Sequence, residues 1–320
     1  MAFGASTLAE LTRRARLREV RVTRLQLGTS VSVAVLHPDP DVARIWVEET
    51  FAEMERLEAI LSRYRPETPL SRLNRQGVLF DPPPELRRVV ERALSWSRAT
   101  EGAFDPTVGP LLALYEQTAL GGAIPSPEAV AQVLQRTGWE GVKVDRTSIA
   151  LDREGMSLTL DGIAKGYVVD QAVATLSGVG ADRVIVDAGG DMASNGPGPE
   201  ENAWRVGVQD PRGGRVGTLG VLRIRGEAIA TSGDYIHSFT QDLTHHHIVD
   251  PRTGASPLET SGVTVLAPSA MDADALSTAV FVLGPKEGIA LLDAVDGMEG
   301  LVVTKRGAQH ESRGFTRYAE

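Results

Sequence analysis

Apolar residues alternate at Val20 and Val22, at Leu25 and Leu27, and at Val31, Val33 and Val35. This period of two, interrupted near Gly28, predicts a β-hairpin with one buried face. From about Asp41 the period changes: Val47, Phe51, Met54, Leu57 and Leu61 recur at steps of three and four, which predicts an amphipathic helix. That helix should end before Tyr64-Arg65-Pro66, because proline disfavours helix at the residue preceding it. Leu86, Val89, Val90, Ala93 and Leu94 predict a second helix with Pro84 in its first turn, and Ser126-Pro127-Glu128 marks a third helix start.

The middle of the chain alternates in type. Residues 157–160 read as a strand, 162–176 as a helix, and 183–186 as a strand running into Asp187-Ala188-Gly189-Gly190-Asp191. Residues 204–209 and 220–229 read as strands, 271–283 and 285–295 as two helices, and 301–304 as a closing strand. The order is not a regular βαβ series, so the expected class is α+β. No internal repeat is found. Gly196-Pro197-Gly198-Pro199 and residues 210–214 read as turns, too short for an inter-domain linker. The expected organisation is an N-terminal extension over 1–19 and one domain over 20–320.

Composition narrows the class. The chain has 320 residues, 42% hydrophobic and 23% charged, which fits a folded soluble globule. A formal net charge of -9 repels nucleic-acid phosphates, so no nucleic-acid partner is expected. The densest basic run, Arg13-Arg14-Ala15-Arg16, is short and reads as a solvated helical face. With no cysteine, thiolate nucleophiles, disulfides and Cys-based metal sites are excluded. No run approaches the ~20 apolar residues of a membrane span, and residues 1–20 contain no apolar signal-peptide core. The expectation is therefore a cytoplasmic protein, or a chain whose targeting segment lies outside this sequence.

Several segments could carry chemistry. If Met271 to Thr278 is helical, Asp274 and Thr278 lie one turn apart on one face. A carboxylate and a hydroxyl so placed offer hard oxygens suited to Mg²⁺, which commonly completes its shell from substrate phosphates. The alternative is that Asp272 and Asp274 only complement the helix dipole. Gly162, Lys165 and Gly166 stand at an expected strand-to-helix junction, where backbone amides and an ammonium could hold phosphate, or where the chain simply turns. Neither a Walker loop nor a GxGxxG motif is present. Asp187 to Asp191 carries the same ambiguity. His245-His246-His247, read on a strand, would point to alternate faces and so suits one inward acid–base histidine better than a zinc site. Asp250-Pro251-Arg252-Thr253-Gly254 reads as a tight turn. Tyr64-Arg65-Pro66 and Ala103-Phe104-Asp105-Pro106 place aromatics beside polar groups in loops, where a ring could stack.

In their order along the chain these segments resemble the ApbE family of FAD:protein FMN transferases. The resemblance rests on Leu27-Gly28-Thr29, Leu61-Ser62-Arg63-Tyr64-Arg65-Pro66, Ser71-Arg72-Leu73-Asn74 and the run from Gly102 to Pro110. It continues through Asp161 to Tyr167, Ala230-Thr231-Ser232-Gly233, His247 to Gly254 and Ala273 to Thr278. It implies an ApbE-like fold of mixed or antiparallel sheets with packed helices. It also implies Mg²⁺ held by Asp274, Thr278 and the Gly162 carbonyl, and an FAD site lined by Leu27, Tyr64, Ala103, Phe104, Asp105, Thr159, Lys165 and Ile248. His247 and Asp274 would be the catalytic pair. The implied reaction transfers FMN from FAD to a Ser or Thr hydroxyl of an acceptor protein, releasing AMP. With water as acceptor the same site would be an FAD pyrophosphatase, and a protein that only stores FAD is the non-catalytic alternative. Two features depart from the family pattern. Thr159-Leu160-Asp161-Gly162 stands where Asp-Leu-Gly-Gly is usual, so an acid has moved by two residues, and the wording here is most similar to the branch that accompanies nitrous-oxide-reductase maturation. The family also suggests an extracytoplasmic location, yet neither an export signal nor a lipobox is seen.

Overall fold

The computed structural model describes residues 17–213 and 217–320. The basic run at Arg13 to Arg16, most of the expected extension, and Gly214 lie outside the described residues.

The hairpin forms as the alternation predicts. Strands β1 (Arg18–Gln26) and β2 (Thr29–His37) pair antiparallel, with Gln26 opposite Thr29. Leu27 and Gly28 both adopt positive φ, 55° and 72°, which makes a two-residue type I′ turn matched to strand twist. Strands β6 (Val184–Ala188), β7 (Asp191–Asn195), β10 (Ala228–Gly233), β11 (Thr260–Ala267), β12 (Glu299–Thr304) and β13 (Gln309–Glu311) extend this pair. The resulting sheet has order β1-β2-β6-β7-β10-β11-β12-β13, with every neighbouring pair antiparallel.

Both faces of this sheet are covered. Val33, Val35, Val184, Val186, Val263, Val265 and Val302 point into the main core, under helices α1 (Pro40–Leu61), α6 (Ala164–Gly178) and α7 (Ala270–Ala294). Their sequence neighbours Ala34, Leu36, Ile185, Leu266, Leu301 and Val303 point the other way, against the hairpin β8 (Trp204–Gln209) and β9 (Thr218–Ile224). The central strands therefore read as continuous apolar runs and the edge strand β1 as an alternating one.

Helices α2 (Pro69–Gln76), α3 (Pro84–Ala99), α4 (Gly109–Leu120) and α5 (Pro127–Leu134) form the remainder with a small sheet of β3 (Val78–Phe80), β5 (Ser148–Leu151) and β4 (Val142–Val144). Helix α7 is apolar and long enough to cross a membrane by composition, with mean hydropathy 1.4. Yet 61% of that stretch is inside the protein, where Phe281, Leu276 and Val280 are fully buried. It is a core helix, and it is jointed as expected: Gly284, at φ 80° and ψ -178°, separates the two predicted halves, with Pro285 opening the second.

Three expectations are corrected. Residues 157–160 form no strand, because their backbone is satisfied elsewhere. Leu158 N–H donates to Asn74 Oδ1 at 2.7 Å, Asn74 Nδ2 returns a bond to the Leu158 carbonyl at 2.8 Å, and Thr159 N–H donates to the Pro106 carbonyl at 2.7 Å. Residues 220–229 are not one strand: β9 and β10 belong to different sheets and are divided at Gly226, whose φ is 144°. The three histidines do not lie in a strand; they sit in the long connection between β10 and β11, where His246 makes an isolated bridge to Ser238.

Candidate functional site

The site grows from the place where the first turns of α6 and α7 meet. Gly166 allows the approach: a Cβ there would stand 2.1 Å from the Ala270 carbonyl oxygen. Across this contact the Asp170 carboxylate accepts the Ala270 and Met271 N–H groups at 2.7 and 2.9 Å, so α6 caps the first turn of α7. Ser269 adds the N-cap, accepting the Asp272 N–H at 3.2 Å.

This packing separates the two acids of α7. Asp272 accepts bonds from Arg92 Nε at 2.6 Å and Trp96 Nε1 at 2.8 Å. Burial alone would raise its pKa, but these donors hold the carboxyl below its ordinary value. Asp274 points inward, buried, and accepts the Gly166 N–H at 3.1 Å. Burial and the neighbouring Asp191 carboxylate push its pKa well above the ordinary value; Lys165 and the Gly166 N–H offset this only in part.

Two of the candidate ligands, Thr278 and Gly162, come together. Thr278 Oγ1 lies 3.3 Å from the Asp274 carbonyl and 3.4 Å from Ser232 Oγ. A Cβ on Gly162 would stand 3.0 Å from Thr278 Oγ1 and 3.4 Å from the Phe104 ring. Asp191, which the sequence left inside an ambiguous turn, completes the group. Its Oδ2 is in ion-pair contact with Lys165 Nζ at 2.8 Å, and its side chain is almost fully buried. Burial would lower the Lys165 pKa, yet Asp191, Asp274 and Asp187 outweigh it and raise it, so the ammonium is charged. Burial also raises the pKa of Asp187, which accepts the Gly190 N–H at 3.0 Å.

Three carboxylates thus face one lysine. The Asp274 and Asp191 carboxylates and the Thr278 hydroxyl offer hard oxygens, a donor chemistry that fits Mg²⁺. Among the described residues no cluster of three or more His, Cys, Asp or Glu side chains is arranged to hold an ion. The three consecutive histidines separate: His245 Nδ1 contacts Thr244 Oγ1, His246 is buried against the Phe281 ring, and His247 turns toward His237.

His247 is half-buried, and its Nδ1 lies 3.0 Å from the His237 carbonyl. Only Nδ1–H can donate there, so in the neutral ring Nε2 carries the lone pair. Burial lowers the His247 pKa; the nearby charges act in opposite senses, Asp161 raising it and Lys165 lowering it.

The remaining candidates divide. Tyr64 is 70% exposed at the mouth, its hydroxyl 3.0 Å from Asp161 Oδ2. Leu27 holds the strained position of the hairpin turn, and its N–H donates to Glu58 Oε2 at 3.3 Å. Ala103, Phe104, Asp105, Thr159 and Ile248 are buried. Of these Phe104 reaches Gly162, whereas Asp105 is turned into its own loop, accepting Thr107 N–H and Oγ1–H and the Trp139 N–H at 2.7 to 2.9 Å. Thr159 Oγ1 accepts the Asp161 N–H at 3.2 Å, and Ile248 packs in the main core. A surface cleft of about 460 Å³ beside Arg87, Arg88 and Arg146 shares no residue with this cluster.

The family model described as the ApbE family matches residues 27–302. A protein of Treponema pallidum (strain Nichols) named FAD:protein FMN transferase is 33% identical over 312 residues, covering 91% of this chain and 86% of the relative. One of the same name from Vibrio cholerae is 30% identical, covering 94% and 90%. Among solved structures, the ApbE protein of Thermotoga maritima superposes with a TM-score of 0.87 at 31% identity, over 95% of this chain and 100% of that one. The flavin transferase ApbE of Vibrio cholerae gives 0.81 at 26%, over 94% and 99%. The α+β architecture of antiparallel sheet and packed helices is shared with both.

Proposed function

The chain belongs to the ApbE family and is an FAD:protein FMN transferase, and from that premise we propose that it works with Mg²⁺, modifies a Ser or Thr hydroxyl, and releases AMP. FAD is the substrate and a second protein is the acceptor. The observation that carries the finer reading is the burial of two carboxylates, Asp274 and Asp191, with Lys165 as their shared cation, while Thr278, one turn along α7 from Asp274, abuts Gly162.

Asp274, the Thr278 hydroxyl and the Gly162 carbonyl would hold the metal, with Asp191 alongside. Mg²⁺ so held would screen the FAD pyrophosphate and orient it for in-line displacement. The chain's own residues do the rest. Lys165 keeps a fixed positive charge against Asp191 and Asp274. Phe104 closes the wall beside Gly162. A Ser or Thr hydroxyl is a poor nucleophile at neutral pH, so a base must take its proton as it attacks. His247 Nε2 is suited to this, because the His237 carbonyl fixes Nδ1 as the protonated nitrogen. A new bond forms between the acceptor oxygen and the FMN-side phosphorus. The bond to the AMP-side oxygen breaks, and the abstracted proton resides on His247.

The test is incubation with FAD, Mg²⁺ and a candidate acceptor domain. Flavin fluorescence on the acceptor in a denaturing gel, with equimolar AMP, is the expected result. AMP without labelled acceptor would replace transfer by FAD hydrolysis, and bound but unaltered FAD would replace both by storage.

A further inference from the structure

Asp161 is the acid that stands two residues beyond the usual family position, and the chemistry above leaves it unused. Its Oδ2 accepts Arg63 Nε–H at 2.7 Å and the Tyr64 hydroxyl at 3.0 Å. Arg63 Nη2 also donates to the Tyr64 oxygen at 2.7 Å and to Glu116 Oε1 at 2.7 Å. The phenol therefore donates to one partner and accepts from the other, which uses its hydrogen-bonding capacity in two fixed directions. The guanidinium carbon lies 4.3 Å over the Tyr64 ring. The Arg63 side chain is only 16% exposed, whereas Tyr64 is 70% exposed. Thus the tyrosine is held at its tip and over its ring while most of its surface faces solvent.

The same residue reaches the candidate metal loop. The Asp161 N–H is bonded to Thr159 Oγ1, and the next residue, Gly162, abuts Thr278. Arg63 follows the end of α1, Glu116 belongs to α4, and Asp161 precedes α6, so the Arg63 guanidinium joins three parts of the fold, and Asp161 is the anchor on the side of the candidate metal loop.

We propose that Asp161 is a positioning residue that presets Tyr64 and Arg63 as a platform for the flavin end of FAD. This rests on the flavin-transferase reading of the site. An exposed aromatic side chain that must order on binding lowers affinity, and one already fixed does not. Charge-assisted bonds to a guanidinium and a phenol are directional enough to do this. Because the cluster is partly exposed, its contribution to folding is small, and its effect falls on binding.

The experiment compares the full chain with Asp161→Ala and Asp161→Asn by titrating flavin fluorescence with FAD and by steady-state transfer. Asp161→Ala is expected to weaken FAD binding about tenfold, equivalent to ~1.4 kcal/mol. KM should rise by a similar factor and kcat should change less than about threefold, the signature of lost ground-state binding. Asp161→Asn should fall between, since its amide oxygen still accepts from Tyr64. The unfolding temperature should not move. FAD binding as tight as, or tighter than, that of the unaltered chain in Asp161→Ala would overturn the proposal, because it would mean the carboxylate only repels the phosphates. If the unaltered chain itself fails to bind FAD, the flavin reading falls and takes this one with it.

Discussion

Gly166→Ala tests the central joint of the site. The added methyl would lie 2.1 Å from the Ala270 oxygen, 2.5 Å from its carbonyl carbon and 2.8 Å from Met271 N. Ordinary contacts are about 3.5 Å, so α6 and α7 must part by roughly 1 Å, and the atoms met are backbone, which cannot rotate away. Overpacking of this kind costs about 1–3 kcal/mol, against a gain of up to ~1 kcal/mol for alanine over glycine in a helix. A net loss of ~1–2 kcal/mol lowers the unfolding temperature by about 1.5–3 °C for a chain of this size. The effect on activity should be larger. The Gly166 N–H is a donor to Asp274 Oδ2 at 3.1 Å, and a displacement of ~1 Å at reacting groups costs about 100-fold in rate. Gly178→Ala in the same helix is the control, because a Cβ there meets nothing within 4 Å. Both variants are melted with and without FAD and Mg²⁺, and turnover is measured across Mg²⁺ concentration. If Gly166→Ala matches Gly178→Ala in melting and in Mg²⁺ dependence, the claim that this contact sets Asp274 in place is wrong.

Asp274→Ala should abolish Mg²⁺-dependent turnover while FAD is still retained in equilibrium dialysis; full activity would remove Asp274 from the metal set. His247→Ala should lower transfer by about 10²–10⁴-fold, the usual range for a lost general base. Because burial lowers the His247 pKa, the unaltered enzyme should gain kcat/KM as pH rises through a value below the ordinary 6.5 of histidine, and a variant that keeps this limb would assign it elsewhere. Burial raises the Asp170 pKa to about 6, above the ~3.9 of an unfolded chain. Its stabilising contribution is thus complete below pH ~4 and is lost as pH rises through about 6. The stability of Asp170→Asn relative to the unaltered chain should therefore climb by up to ~3 kcal/mol across that window in denaturant titrations, and a flat difference would refute the shift.

Periodicity revealed those elements whose apolar spacing is long enough to have a period. The β1–β2 hairpin, α1, α3 and the jointed α7 were all legible for that reason. Strands of three or four residues, such as β3 and β4, are too short to alternate, and α4 opens on Gly109-Pro110, which reads as a turn. Residues 157–160 have the composition of a strand, but a side chain from α2 and a loop carbonyl take the bonds a ladder would need. Residues 220–229 looked continuous because apolar and polar positions alternate from Leu222 through Arg223, Ile224, Arg225, Gly226, Glu227 and Ala228, and the φ of 144° at Gly226 shows that the chain changes sheets there. At the site, the spacing of Asp274 and Thr278 was visible because both lie on one helix. Asp191 was not, because its partners Lys165 and Asp274 come from other elements and only the fold brings them into contact.

Asp272 and Asp274 show where local reasoning ends and tertiary reasoning begins. They are the same residue type, two positions apart, in the first turns of one helix, and both suit the helix dipole equally well. Helical geometry turns them about 200° apart, so they meet different surroundings. Asp272 meets a guanidinium and an indole N–H and is held ionised. Asp274 meets a second carboxylate in a buried place where one lysine serves both, and its charged form is disfavoured. Two adjacent buried carboxylates that cannot both ionise need a proton or a cation between them. A structural acid would not be placed this way, since pairing with an arginine, as Asp272 does, is the more stable solution. The unfavourable arrangement of Asp274 is therefore the strongest physical reason to propose a metal there: a divalent ion would take the place of the proton and relieve the repulsion that the fold imposes.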